Sequence, residues 1–106
     1  MTKISFNTDP ENGLFTGFEC LGHSGYADEG SDIVCAAVSI LTFNFVNSCE
    51  KLLNIKTDVE ERSKDAFLKV TVKDYSGEDV QLLFRSLKLG LSEIEKNYKK
   101  YLRLTK

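Results

Sequence analysis

Polar and apolar residues alternate along Lys3-Ile4-Ser5-Phe6, which predicts a short strand near the start of the chain. Asp9-Pro10-Glu11-Asn12-Gly13 is dense in turn formers, and the Phe- and Leu-rich stretch Leu14 to Leu21 reads as the returning strand of a hairpin. Gly17 inside that strand marks a bulge or a close approach of backbones. A glycine-rich loop, Gly22 to Gly30, comes next. Beyond it Ser31 or Asp32 is placed to cap a helix running to about Cys49. That helix carries Ile33, Val34, Val38, Ile40, Leu41, Phe43, Phe45 and Val46, so it is apolar nearly all round and expects burial on several sides.

In the second half Ile55, Thr57 and Val59 alternate with Lys56, Asp58 and Glu60. Ala66, Leu68, Val70 and Val72 alternate with Phe67, Lys69, Thr71 and Lys73. These read as two strands, each with one core-facing side, joined by the polar turn Glu61 to Asp65. Ser76, with Asp79 three residues on, resembles a capping box. Val80, Leu83, Phe84, Leu87, Leu91, Ile94 and Tyr98 then recur at helical spacing, with Gly90 weakening the helix or permitting close packing. Tyr101-Leu102-Arg103-Leu104 is either a last short strand or a helix tail. The order β-β-α-β-β-α predicts a two-layer α+β domain, two long helices on an antiparallel sheet of about four strands. With no internal repeat and no linker, residues 1–106 read as a single domain.

Composition narrows the function classes. The chain is 42% hydrophobic and 28% charged, an ordinary globular balance able to bury a core without a disulfide or metal staple. Its net charge of −2 argues against a surface that binds nucleic acid through many phosphate contacts. Lys96, Lys99, Lys100, Arg103 and Lys106 cluster near the end, where basic residues suit a helix C-terminus. The three cysteines form no Cys-x-x-Cys pair, so neither a disulfide framework nor a zinc site is expected, and no cofactor is implied. No N-terminal apolar segment resembles a signal peptide. The apolar run Ile33 to Val46 reads as too short to span a bilayer, which leaves no membrane role. A reducing cytoplasm is the expected setting.

The chemistry concentrates in Gly22-His23-Ser24-Gly25-Tyr26-Ala27 and Gly30-Ser31-Asp32-Ile33-Val34-Cys35-Ala36-Ala37. The only histidine lies twelve positions before Cys35. An imidazole can take a thiol proton and so create a nucleophile. Cys35 falls in the first turn of the predicted helix, where free amides and the dipole favour negative charge on a thiolate. The same amides could hold the oxyanion formed when a thiolate attacks a peptide carbonyl. Spacing alone leaves Cys35 equally open to a buried structural role. Asp32 reads as a helix cap or as a carboxylate orienting His23. Ser39, one turn after Cys35, either reaches the site or bonds back to a helix carbonyl. Gly22, Gly25 and Gly30 let the loop move or simply make turns, and Tyr26 either meets substrate or pins the loop. Cys20 and Cys49 read as structural, and Glu60-Glu61 as a solvated turn.

These two motifs, together with Val38-Ser39, resemble the signature of the ribosomal-processing cysteine protease family Prp, whose members are small bacterial proteins of similar length. The resemblance implies Cys35 as nucleophile and His23 as its partner. It also implies the substrate: a precursor of large-subunit ribosomal protein L-twenty-seven, whose N-terminal extension is cut after an aromatic stretch. The all-round apolar helix adds the expectation of a homodimer. Two rivals stand beside the protease. One is a non-catalytic ribosome-associated binding module with Cys35 merely buried. The other is a thiol redox protein, against which the missing Cys-x-x-Cys spacing counts.

Overall fold

The computed structural model describes residues 1–27 and 32–105. The first two strands, β1 (Thr2–Thr8) and β2 (Phe15–Leu21), form an antiparallel hairpin. Its turn is built as the sequence implies: Asp9 Oδ1 accepts the Glu11 N–H at 2.9 Å, Asn12 Oδ1 accepts the Leu14 N–H at 2.9 Å, and Gly13 takes φ +75°. Helix α1 (Ile33–Leu52) follows, then β3 (Thr57–Arg62), one turn of 3-10 helix (Ser63–Asp65), β4 (Phe67–Val72), helix α2 (Glu78–Asn97) and β5 (Leu102–Thr105). The sheet order is β3-β4-β2-β1-β5. Gly17 belongs to the β2–β4 contact, where a Cβ would lie 2.3 Å from the Val70 carbonyl oxygen.

The α+β architecture with two helices matches expectation, but the sheet has five strands and is mixed. Its first four strands pair antiparallel, while β5 runs parallel to β1, with Thr2 opposite Leu102 and Ser5 opposite Thr105. Leu102-Arg103-Leu104 is therefore part of a strand, with Tyr101 in the turn before it, and the segment is not a helix tail. The start of α2 also differs: Gly77, not Ser76, is its N-cap, no side chain caps it, and Asp79 Oδ1 accepts the next amide, of Val80, at 2.7 Å. Helix α1 runs three residues past Cys49 before Asn54 turns the chain at φ +55°. At 20 residues it is long and apolar enough to cross a membrane by length and composition, so the argument from a short apolar run does not hold. One stripe of it (Val34, Val38, Thr42, Phe45, Val46 and Cys49) is sealed inside the domain.

Ile4, Phe18, Cys20, Val70 and Val72 bring the sheet's apolar face into this core, and Phe84, Leu87 and Leu91 bring that of α2. Phe45 packs edge-on to Phe18 (5.6 Å between centroids) and tilted against Phe84 (4.5 Å), so phenylalanine carries the aromatic packing. Buried Gln81 ties α2 to the hairpin. Its Oε1 accepts the Phe15 N–H at 3.0 Å, and its Nε2 donates to the carbonyls of Phe15 and Tyr75, each at 2.8 Å. Edge strand β3 departs from expectation, because neither of its sides is covered and Val59 is 43% exposed. The space between α1 and the β3–β4 end of the sheet is left open, and the candidate site lies there.

Candidate active site

The loop that follows β2 is anchored at its root. Gly22 adopts φ +93°, donates its N–H to the Ala66 carbonyl at 3.0 Å, and accepts the Thr2 hydroxyl at 2.8 Å. A Cβ at Gly22 would meet the Met1 carbonyl oxygen at 2.7 Å, so space and φ both select glycine. His23 is exposed and Ser24 buried. Gly25 turns the chain at φ +78°. Tyr26 then docks edge-on to Tyr98 (5.6 Å) and Tyr101 (5.1 Å), so the ring fastens the loop to the segment between α2 and β5. Residues 28–31, Gly30 among them, lie outside the described residues.

Asp32 gathers the loop onto the helix. Its Oδ1 accepts the Cys35 N–H at 2.9 Å and so caps α1. Its Oδ2 accepts the Ser24 hydroxyl in a short hydrogen bond, the Tyr26 N–H at 3.1 Å and the Ala27 N–H at 3.5 Å. Burial alone would raise this carboxyl, but those four donors more than offset it and hold it down to about 2. Every bond the carboxylate makes among the described residues goes to the cap or the loop backbone and Ser24, and none goes to His23.

Cys35 is half-buried in the first turn of α1. The amide arrangement around it differs from the sequence expectation. The Cys35 N–H is taken by the Asp32 side chain and the Ala36 N–H by the Asp32 carbonyl at 3.0 Å. Those two amides are therefore not available to an oxyanion. The Cys35 thiol lies 3.6 Å from Ser24 Oγ. The other two thiols are also free. Burial pushes Cys20 up to about 12, and burial aided by the charges of Glu50 and Asp79 pushes Cys49 up to about 11.

His23 and Cys35 open onto one cleft of about 200 Å³. Helix α1 supplies one wall through Val38, Ser39 and Phe43, and the β3–β4 turn supplies the other through Glu61, Arg62 and Phe67. Ser39 thus faces the cleft, and the serine-like bond back into the helix belongs to Thr42, whose hydroxyl donates to the Val38 carbonyl at 2.9 Å. Cys20 and Glu61, read from sequence as structural and solvated, also line it. Arg62 stacks over Phe67 at 4.1 Å while pairing with Glu60 (2.6 Å) and Asp65 (3.1 Å). Sequence reasoning overlooked Ser24, Phe43, Arg62 and Phe67. Only Ser24 carried a signal, as a polar residue beside the single histidine. Among the described residues no cluster of His, Cys, Asp or Glu could hold a metal ion.

The family described as cysteine protease Prp matches residues 1–103 of this chain. The chain belongs to the Prp family. Among its relatives is the ribosomal processing cysteine protease Prp of Bacillus subtilis, 28% identical over 109 residues, with 99% of this chain and 96% of the relative covered. The same family's protein from Staphylococcus aureus is 28% identical over 83 residues, 78% of each chain. Two S. aureus Prp crystal structures superpose on the fold. One, with a covalently linked product peptide, gives a TM-score of 0.90 at 26% identity, covering 99% of this chain and 98% of that one. The other, with a substrate peptide, gives 0.86 at 25% identity over the same shares. As a Prp member the chain is a cysteine protease of the ribosomal-processing class.

Proposed function

We propose that this protease removes the N-terminal extension of the precursor of large-subunit ribosomal protein L-twenty-seven, with Cys35 as nucleophile and His23 as its proton partner. The observation that carries the reading is that His23 and Cys35, twelve positions apart, open onto one cleft with apolar side chains on both of its walls. The thiol proton passes to the imidazole, and Sγ forms a bond to the scissile carbonyl carbon. His23 then protonates the leaving amine as the C–N bond breaks. Water attacks the resulting thioester; its proton returns through His23 to sulfur, and the C–S bond breaks to release the carboxylate.

Phe43, Phe67 and Leu68 give the cleft surfaces suited to an aromatic substrate side chain. The S. aureus relatives solved with a substrate peptide and with a covalently linked product peptide support a peptide occupant for this fold. Three free thiols fit a reducing cytoplasm, where we place the activity. Ile33 and Ile40 leave exposed apolar surface on α1, with Ile40 at 70% exposure, and this supports a homodimer paired through that face.

The test is incubation with a peptide spanning the extension and the start of the mature ribosomal protein, read by mass spectrometry. A single cut after the aromatic stretch, absent in Cys35→Ala and His23→Ala, is the expected result. Cleavage that survives in Cys35→Ala would refute the nucleophile. No cut in the folded wild type, with the peptide or the full-length precursor, would favour the binding-module reading.

A further inference from the structure

One buried hydroxyl at the site has no part in the reaction just described. Ser24 follows His23 directly in the chain, yet it is 2% exposed. A serine hydroxyl has one proton to give and two lone pairs to offer. Its neighbour Asp32 is ionised and can only accept, so the serine proton is committed to Asp32 Oδ2. What remains for the other neighbours is lone pairs. One meets the Tyr26 N–H at 3.3 Å, and the other faces Cys35 Sγ at 3.6 Å. The sulfur contact therefore has one polarity: the thiol donates its proton to Ser24. A thiolate in that place would face a lone pair instead, with the Asp32 charge directly behind it.

We propose that Ser24 is a positioning residue that orients the Cys35 S–H in the resting enzyme, its proton directed at the serine rather than at His23, with Asp32 setting the direction of the serine hydroxyl. The inference rests on Cys35 being the nucleophile. Reaction then requires the S–H to leave Ser24 and turn to the imidazole, a step that the arriving peptide would favour by filling the cleft. Ser24 is no route for the proton itself. A relay through it would end on a carboxylate that four hydrogen bonds keep ionised. The arrangement restrains an accessible thiol from reacting with small electrophiles in the absence of substrate.

The S–H stretching band tests this directly, because it responds to hydrogen bonding at sulfur and not to fold in general. Subtracting the infrared spectrum of Cys35→Ala from that of the wild type isolates the Cys35 band. Cys20 and Cys49 serve as internal references, since neither thiol has a hydrogen-bond partner among the described residues. The Cys35 band is expected below theirs in frequency and is expected to rise in Ser24→Ala. Iodoacetamide should alkylate Cys35 in folded Ser24→Ala about threefold to tenfold faster than in the wild type at pH 7, the effect of losing one modest hydrogen bond to the neutral form. A wild-type Cys35 band at the reference frequency overturns the proposal without any need for the serine variant. An alkylation rate unchanged or lower in Ser24→Ala overturns it as well. Neither result touches the cleavage test. Conversely, cleavage retained in Cys35→Ala would remove the nucleophile assignment while leaving the band where it is.

Discussion

Replacing Asp32 by alanine should be among the most damaging single changes to this fold outside the core, and its size follows from the bonds at that carboxylate. The Cys35 N–H loses its cap, which costs about 1 kcal/mol in a typical helix. The buried Ser24 hydroxyl loses its acceptor, and an unsatisfied buried polar group costs about 1–3 kcal/mol. The Tyr26 N–H still has Ser24 Oγ at 3.3 Å, so its loss adds little. The sum is about 2–4 kcal/mol. In a domain of this size each kcal/mol moves the melting temperature by about 4–8 °C. Asp32→Asn keeps an oxygen for the Cys35 amide and should recover at least the cap contribution. Urea unfolding followed by circular dichroism measures both variants. A loss below about 1 kcal/mol in Asp32→Ala would mean that water replaces the carboxylate at these donors, and the accounting for the loop would be wrong.

Further expectations rest on separate observations. Asp32 is held at about 2 against an ordinary 3.8, so its contribution to stability is complete above the unfolded value and disappears as pH falls from 3.8 towards 2. Unfolding of Asp32→Asn should accordingly show a shallower loss over that interval, and equal slopes would contradict the assigned bonds. Iodoacetamide at neutral pH should label Cys35 well before Cys20 or Cys49, whose thiols burial holds near 12 and 11; peptide mapping in which Cys20 is labelled first would reverse that order. Gly22→Ala forces a side chain into φ +93° and against the Met1 carbonyl, a backbone strain of about 1–3 kcal/mol, and a melting temperature equal to wild type would show that the loop root relaxes freely. Light scattering at micromolar concentration should give a dimer mass that Ile40→Glu reduces to a monomer, and a monomeric wild type would leave the exposed apolar surface of α1 without a partner.

The sequence by itself determined what depends on near neighbours. Alternation along Lys3 to Phe6 and Ala66 to Lys73 specified strands because side chains on a pleated backbone change face at every residue. The Asp9 to Gly13 turn was legible because Asx side chains bond amides two residues away and Gly13 tolerates positive φ. The motif holding His23 and Cys35 was equally visible, and with it the family. Tertiary structure decided the rest. Whether Leu102 to Thr105 became a strand depended on an open edge of β1, about a hundred residues away, and four residues carry too little pattern to announce a parallel partner. Whether β3 buried a side depended on where α1 crosses the sheet, and the gap it leaves is the cleft. Phe43, Arg62 and Phe67 meet at that cleft from two separate segments, a coincidence no local spacing encodes. Ser24 gained its buried place between Asp32 and Cys35 only when the loop closed onto the helix cap, because a hydroxyl's role is set by whichever neighbours the fold brings within hydrogen-bond reach.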